Sequence, residues 1–301
     1  MIVTSHALNH VLKDWPQWPI LNRVDASACD FTPLEQGLTN ENWLVTLPDD
    51  NSNTQFVIRI NAQNAKELNI DHQSEFEIVQ RISNLNLCPQ ITFKESTFKY
   101  WVRPYIRGNT LAEIQSQTPS YQIQHDLAEV ANVLNTIHKQ PTQPNWPTVN
   151  TIERTEYFWP QIIPRLIQHK SAILKCKVLL DELLKSDIKQ ASLCHMDTNT
   201  HNWIKDKSGK LNLIDWEYAG LGNPIWDLAV FSDSAKLSRR EEQDLLSHYG
   251  QNSLEELHHA KRQMEYLSIL WFAVQENTDC NTLLCELNNL VARSKQPVIV
   301  G

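Results

Sequence analysis

The sequence predicts an α+β fold of two lobes, a small antiparallel sheet followed by a larger, mainly helical body. Strand-like runs crowd into the first third of the chain, at Trp43–Leu47, Gln55–Ile60 and Thr97–Pro104. From Tyr121 onward apolar residues recur every three or four positions, as in Leu127, Val130, Leu134 and Ile137. Among the helical tracts stands one hairpin pattern, Trp203–Asp206 and Leu211–Ile214 around the turn-prone Lys207-Ser208-Gly209-Lys210. The expected division is an N-terminal arm over residues 1–30, an N-lobe over 31–107 and a C-lobe over 108–301.

Composition narrows the function classes. With 301 residues, 41% hydrophobic and 21% charged, the chain has enough apolar side chain for two cores. A net charge of −8, and no basic cluster beyond Arg239-Arg240, argue against nucleic acid or an anionic membrane surface as partner. No uninterrupted apolar run approaches the roughly 20 residues that a membrane span requires. The six cysteines are scattered without a C-x-x-C pair, which suits reduced thiols rather than a zinc site. Met1-Ile-Val-Thr-Ser-His lacks a basic segment leading into an apolar core, so a cytoplasmic protein is expected.

Taken in order, residues 1–23 carry Trp15, Pro16, Trp18 and Pro19 and read as a helix plus an irregular arm. Gln36-Gly37-Leu38-Thr39-Asn40-Glu41-Asn42 precedes the first strong strand. Gly37 there serves either an ordinary hairpin turn or a tight loop in which Thr39 and Asn40 offer donors to a phosphate. Along Gln55–Ile60, alternation puts Phe56, Ile58 and Ile60 on one face and Val57 and Arg59 on the other. Lys66–Leu87 reads as a helix with Ile78, Val79, Ile82 and Leu85 on one face. Glu75 lies on that stripe, where it either meets Arg59 or faces water at the edge. A turn at Tyr105–Gly108 leads into helical sequence. Helices are expected over Tyr121–His138, over 151–188, and from Leu237 to Ser294.

The chemistry concentrates between Asp197 and Asp227. His195-Met196-Asp197 is followed five residues later by Asn202, and after the hairpin by Asp215-Trp216-Glu217-Tyr218. A carboxylate that takes a hydroxyl proton, with a carboxamide and a second carboxylate that hold metal, are the parts phosphoryl transfer needs. If Asp206 faces Leu211 across the loop, Asn202 faces Asp215 with Cβ atoms about 5 Å apart. Two oxygen ligands at that spacing suit a hard cation such as Mg²⁺.

Together these motifs resemble the aminoglycoside phosphotransferase and choline kinase superfamily, most closely its bacterial choline kinases and thiamine kinases. The resemblance spans about residues 31–275, and its specific parts are Leu193–Asp197 with Asn202 and Leu213–Ala219. It implies a protein-kinase-like two-lobed fold and an ATP- and Mg²⁺-dependent kinase that phosphorylates the hydroxyl of a small, cationic alcohol of choline or thiamine type. By the same resemblance Asp197 is the catalytic base and His195 braces its loop. Asn202 and Asp215 are the metal ligands. Arg59, paired with Glu75, meets the nucleotide phosphates. Thr39, Asn40 and Asn42 belong to the loop over the phosphates, and Tyr105 and Ile106 to the hinge that meets adenine. Asp227 secures the catalytic loop. Trp216, Glu217, Tyr218 and Trp271 are candidates for contact with a cationic acceptor. The expected assembly is a monomer or homodimer.

Departures from the pattern bear on substrate. The absence of G-x-G-x-x-G, of Ala-Pro-Glu and of a long segment after Asp215 argues against a protein substrate. His195-Met196-Asp197 looks more like thiamine kinases, and Leu270–Gln275 more like choline kinases. Aminoglycoside or sugar phosphorylation is an alternative, as is a catalytically silent nucleotide-binding module. A silent module would have lost the base or a metal ligand, and both are present.

Overall fold

The computed structural model describes residues 5–19, 21–34, 39–48, 54–118, 121–185, 191–251, 253–275 and 278–295. These fall into two compact units. One is drawn from Met1–Lys66, Asp71–Gly108 and Ile204–Ile214, the other from Glu67–Ile70, Asn109–Trp203 and Asp215–Gly301.

The first unit comprises α1 (His6–Val11), β1 (Asp30–Leu34), β2 (Glu41–Thr46), β3 (Gln55–Ile60), α2 (His72–Ser83), β4 (Phe93–Lys94) and β5 (Tyr100–Pro104). Its strands form one antiparallel sheet in the order β1-β2-β3-β5-β4. The alternation expected along β3 is realised, with both faces covered. Phe56 and Ile58 join Trp43, Val45, Tyr100 and Val102 in a core completed by Leu8, Trp15, Trp18 and Leu21 of the N-terminal arm. The arm is therefore half of this core. Trp18 donates its indole N–H to the Tyr100 hydroxyl at 3.2 Å, and that hydroxyl donates to Asp14 at 2.7 Å. On the opposite face Arg59 meets α2. This helix begins at His72 rather than Lys66, because Asp71 caps it through the Gln73 N–H and Asn69 adopts a left-handed φ of +58°.

The second unit is mainly helical. It follows β6 (Gly108–Thr110) with α3 (Leu111–Gln117), α4 (Leu127–His138), α5 (Thr151–Ile162), α6 (Lys170–Leu183) and β7 (Ser192–Cys194). Past the hairpin β8 (Trp203–Asp206) and β9 (Leu211–Leu213), whose residues 204–214 belong to the first unit, come β10 (Gly220–Gly222), α7 (Ile225–Ser234), α8 (Arg239–Tyr249), α9 (Leu254–Gln275) and α10 (Cys280–Ser294). The tract expected as one helical region from Leu237 is three helices. Gly250 ends α8 at φ +88°, a conformation open to glycine, and Asp279 caps α10. Phe158, Trp159, Tyr266, Leu270, Leu283 and Leu287 share one core among α5, α9 and α10. No helix among the described residues is long and apolar enough to cross a membrane.

The hairpin differs from expectation in register. The Gly209 N–H bonds the Asp206 carbonyl at 2.9 Å, and the Asp206 N–H bonds the Lys210 carbonyl at 3.0 Å, with Gly209 at φ +89°. This is a turn closed by a glycine bulge, so Asp206 pairs with Lys210 instead of Leu211. Asn202 and Asp215 thus do not come together as a cross-strand pair.

Candidate active site

Two short strands bring the catalytic segments together. β7 and β10 pair antiparallel with Cys194 opposite Gly220, so the loop that opens at His195 and the segment that closes at Ala219 meet the same rung. Gly220 is required there. A Cβ at that position would stand 2.5 Å from the Pro147 carbonyl oxygen, whose chain runs against β10 and accepts the Leu221 N–H at 2.7 Å.

Asp227 on α7 pins the loop. One of its oxygens accepts the His195 N–H at 2.8 Å and the His138 Nε2 at 2.9 Å, and the other accepts the Met196 N–H at 2.7 Å. His138 Nδ1 in turn meets the Tyr249 hydroxyl at 2.7 Å. Burial pushes the Asp227 carboxyl up, but the His138 hydrogen bond, the charges of His138 and His195 and the His195 N–H outweigh it, holding Asp227 below its ordinary value. Met196 is thereby held at φ +68°, a conformation a non-glycine residue keeps only when its surroundings enforce it.

On this loop Asp197 is only partly buried. Its N–H bonds His195 Nδ1 at 3.2 Å, and its carboxylate accepts Asn199 Nδ2 at 2.7 Å and Asn202 Nδ2 at 2.8 Å. Asn202 Nδ2 also reaches the Asp197 carbonyl at 2.9 Å. The amide nitrogen of Asn202 is thus committed to Asp197, leaving its carbonyl oxygen to face another group. Burial raises the Asp197 carboxyl above its ordinary value. The charge of Asp215 raises it further, against the Asn199 and Asn202 hydrogen bonds and the His195 charge. Asp215 itself stands at φ +67°, just past β9. Asp197 and Asp215 bear on one another electrostatically, and carboxylate oxygens of this kind are the donors a divalent cation such as Mg²⁺ takes.

The acceptor candidates are divided by the fold. Trp216 is 2% exposed, with its ring centroid 4.5 Å from that of His195, and so forms a wall beneath the loop. Glu217 is buried. Tyr218 and Trp271 are brought together, the Trp271 indole N–H donating to the Tyr218 hydroxyl at 2.8 Å. Burial, then the charges of Glu217, Asp197 and Asp215, raise the Tyr218 hydroxyl, against the Trp271 hydrogen bond.

In the first unit, the expected pairing of Arg59 with Glu75 is present and buried, at 2.5 Å. Glu75 also meets His72 at 3.1 Å, and the Arg59 guanidinium lies 4.6 Å from the Trp101 ring centroid. Asn42 is the register partner of Arg59. Asn40 is buried and accepts the Ala62 N–H at 3.1 Å, so that oxygen serves the local fold. Thr39 is half-buried, and Gln36, Gly37 and Leu38 lie outside the described residues. Tyr105 donates its N–H to the Gln55 carbonyl at 3.0 Å, and Ile106 follows it half-buried.

Several participants escaped the sequence reading. His72 precedes Glu75 by three residues on one helix, a signal that was available. His138, Tyr249 and Arg154 lie far along the chain from what they touch and gave none. Among the described residues, His195, Asp197 and His201 are not gathered closely enough to form a metal set. Among the described residues the one His/Cys/Asp/Glu group close enough to hold an ion is His138, Cys194 and Asp227. Hydrogen bonds already occupy His138 and Asp227 there, and burial raises the Cys194 thiol well above its ordinary value.

Residues 30–264 match the phosphotransferase enzyme family. The chain belongs to that family. Protein LicA of Haemophilus influenzae is 27% identical over 257 residues, covering 78% of this chain and 70% of that protein. A thiamine kinase of Escherichia coli is 32% identical over 105 residues, 35% of this chain and 36% of that enzyme. The crystal structure of choline kinase LicA from Streptococcus pneumoniae superposes with a TM-score of 0.73 at 21% identity, covering 96% of this chain and 99% of the other. A spectinomycin phosphotransferase superposes with a TM-score of 0.62 at 13% identity, covering 98% of each. The expected protein-kinase-like fold, antiparallel sheet first and helices after, is thus the fold this phosphotransferase has.

Proposed function

We propose that this phosphotransferase moves the γ-phosphoryl group of ATP to the hydroxyl of a small cationic alcohol of choline type. The observation that carries the reading is the arrangement around Asp197, a carboxylate held by Asn199 and Asn202 and raised by burial and by Asp215. In that role Asp197 accepts the acceptor's hydroxyl proton, and Asn199, Asn202 and the His195 ring keep its carboxylate aimed. Asn202 and Asp215 would hold Mg²⁺. The charge such an ion would supply there is what offsets the negative charge of the nucleotide phosphates in phosphoryl transfer. Within the first unit, Arg59, fixed by Glu75 and Trp101, is assigned to the nucleotide together with Thr39, Asn42, Tyr105 and Ile106. The reaction asks mainly for positioning and charge stabilisation, which a rigid loop provides.

The choline type is favoured over thiamine by coverage. Similarity to LicA runs through 78% of the chain, whereas similarity to thiamine kinase is confined to 35%. Acidic Glu217, Asp197 and Asp215 bear on Tyr218, and Trp271 adds an aromatic face, a combination that suits a cation. The test is Mg²⁺-dependent ATP consumption with choline, ethanolamine, thiamine, kanamycin and a hexose. Turnover with choline or ethanolamine supports the proposal. Turnover confined to thiamine, kanamycin or the hexose, or ATP binding without turnover on any of them, overturns it.

A further inference from the structure

Arg154, one turn into α5, is 8% exposed, yet no carboxylate among the described residues pairs with it. A buried guanidinium ordinarily has an anionic partner, because removing its charge from water costs more than neutral contacts return. Among the described residues, the contacts of its guanidinium come from Tyr218. Its Nη2 donates to the Tyr218 carbonyl at 3.1 Å, and its guanidinium carbon lies 5.7 Å from the Tyr218 ring centroid. Burial pulls the guanidinium down to about 10, which leaves it charged at neutral pH.

Tyr218 is consequently held at three points: its carbonyl and ring by Arg154, its hydroxyl oxygen by the Trp271 indole N–H. Because Trp271 donates, the hydroxyl's own proton is not spent on that contact and remains for a third group. We propose that Arg154 is a positioning residue for the acceptor, acting through Tyr218, whose ring it backs while Trp271 fixes the hydroxyl. The inference rests on the reading that Tyr218 borders the acceptor site. A neutral side chain at 154 would leave the Tyr218 carbonyl without this donor and its ring without a backing. Lysine would keep the charge but lose the planar group that reaches carbonyl and ring together.

Arg154→Lys and Arg154→Met test this in full-length protein labelled with 5-fluorotryptophan, with the Trp271 ¹⁹F resonance assigned by its loss in Trp271→Phe. In both variants that resonance should shift or split without any ligand present. The acceptor KM should rise about tenfold, as expected for one lost charge-assisted positioning contact, while the KM for ATP stays within about twofold. An unmoved Trp271 resonance with unchanged acceptor KM, whether or not the melting temperature falls, would reduce Arg154 to a stabiliser of α5 and overturn the proposal. If the wild type turns over none of the acceptors, the functional reading fails by itself, and the ligand-free resonance still decides whether Arg154 holds Tyr218.

Discussion

Replacing Asp227 by asparagine should uncouple the catalytic loop from α7. Both carboxylate oxygens accept a backbone N–H, from His195 at 2.8 Å and Met196 at 2.7 Å. An amide at that position must point its NH₂ group at one of these donors whichever way it is turned, and the buried His138 contact at 2.9 Å loses its charge. Removing one partner from such a buried charged network costs about 3–5 kcal/mol. Against a typical stability of roughly 5–15 kcal/mol, the loss is large but leaves a folded protein measurable at low temperature. For a chain of 301 residues the expected fall in melting temperature is roughly 5–8 °C. Released from Asp227, Met196 loses what holds it at φ +68°, and a shift of about 1 Å in Asp197 would lower turnover about a hundredfold. The assays are thermal unfolding and steady-state ATP turnover. A melting temperature within a degree or two of wild type, with normal turnover, would refute the claim that Asp227 holds this loop. The variant also carries a pH signature. Folded Asp227 titrates below the ordinary 3.8, so its contribution is complete above that value and is lost as pH falls through the folded value. The acid-unfolding limb of the wild type should flatten in Asp227→Asn.

Three further substitutions test the assigned roles. Asp197→Ala should abolish turnover, a loss of at least about a hundredfold, while ATP affinity by calorimetry stays close to wild type; substantial residual activity would remove Asp197 as the base. Asp215→Ala should eliminate Mg²⁺-dependent nucleotide binding, and an affinity that responds to Mg²⁺ as before would exclude it as a ligand. Glu75→Gln leaves buried Arg59 without its carboxylate partner, so the KM for ATP should rise about tenfold; an unchanged KM would mean the pair serves only the fold.

Much of this protein was legible in local pattern. The strands at 43–60 and 100–104, the helix at 127–138 and the sequence His195-Met196-Asp197 to Asp215 all follow from side-chain period and from residue types grouped by their chemistry. The Arg59–Glu75 pair was within reach too, because a charged residue on the apolar face of a strand and another on the apolar stripe of the next helix each need a partner. Where local signals failed, the cause was a single backbone conformation. Asn69 at φ +58° delayed α2, and the bulge at Gly209 moved the hairpin register by one.

What only the tertiary structure decided is which distant groups meet. Asp227 finds His138 across 89 residues, Arg154 finds Tyr218 across 64, and Trp271 finds Tyr218 across 53. Trp15 and Trp18, which looked like an irregular leader, close the core of the first sheet, while Trp216, which looked like a ligand contact, packs under His195. Periodicity reports which face of an element is apolar. It does not report what that face is set against, because partners brought together by chain closure share no spacing in the sequence.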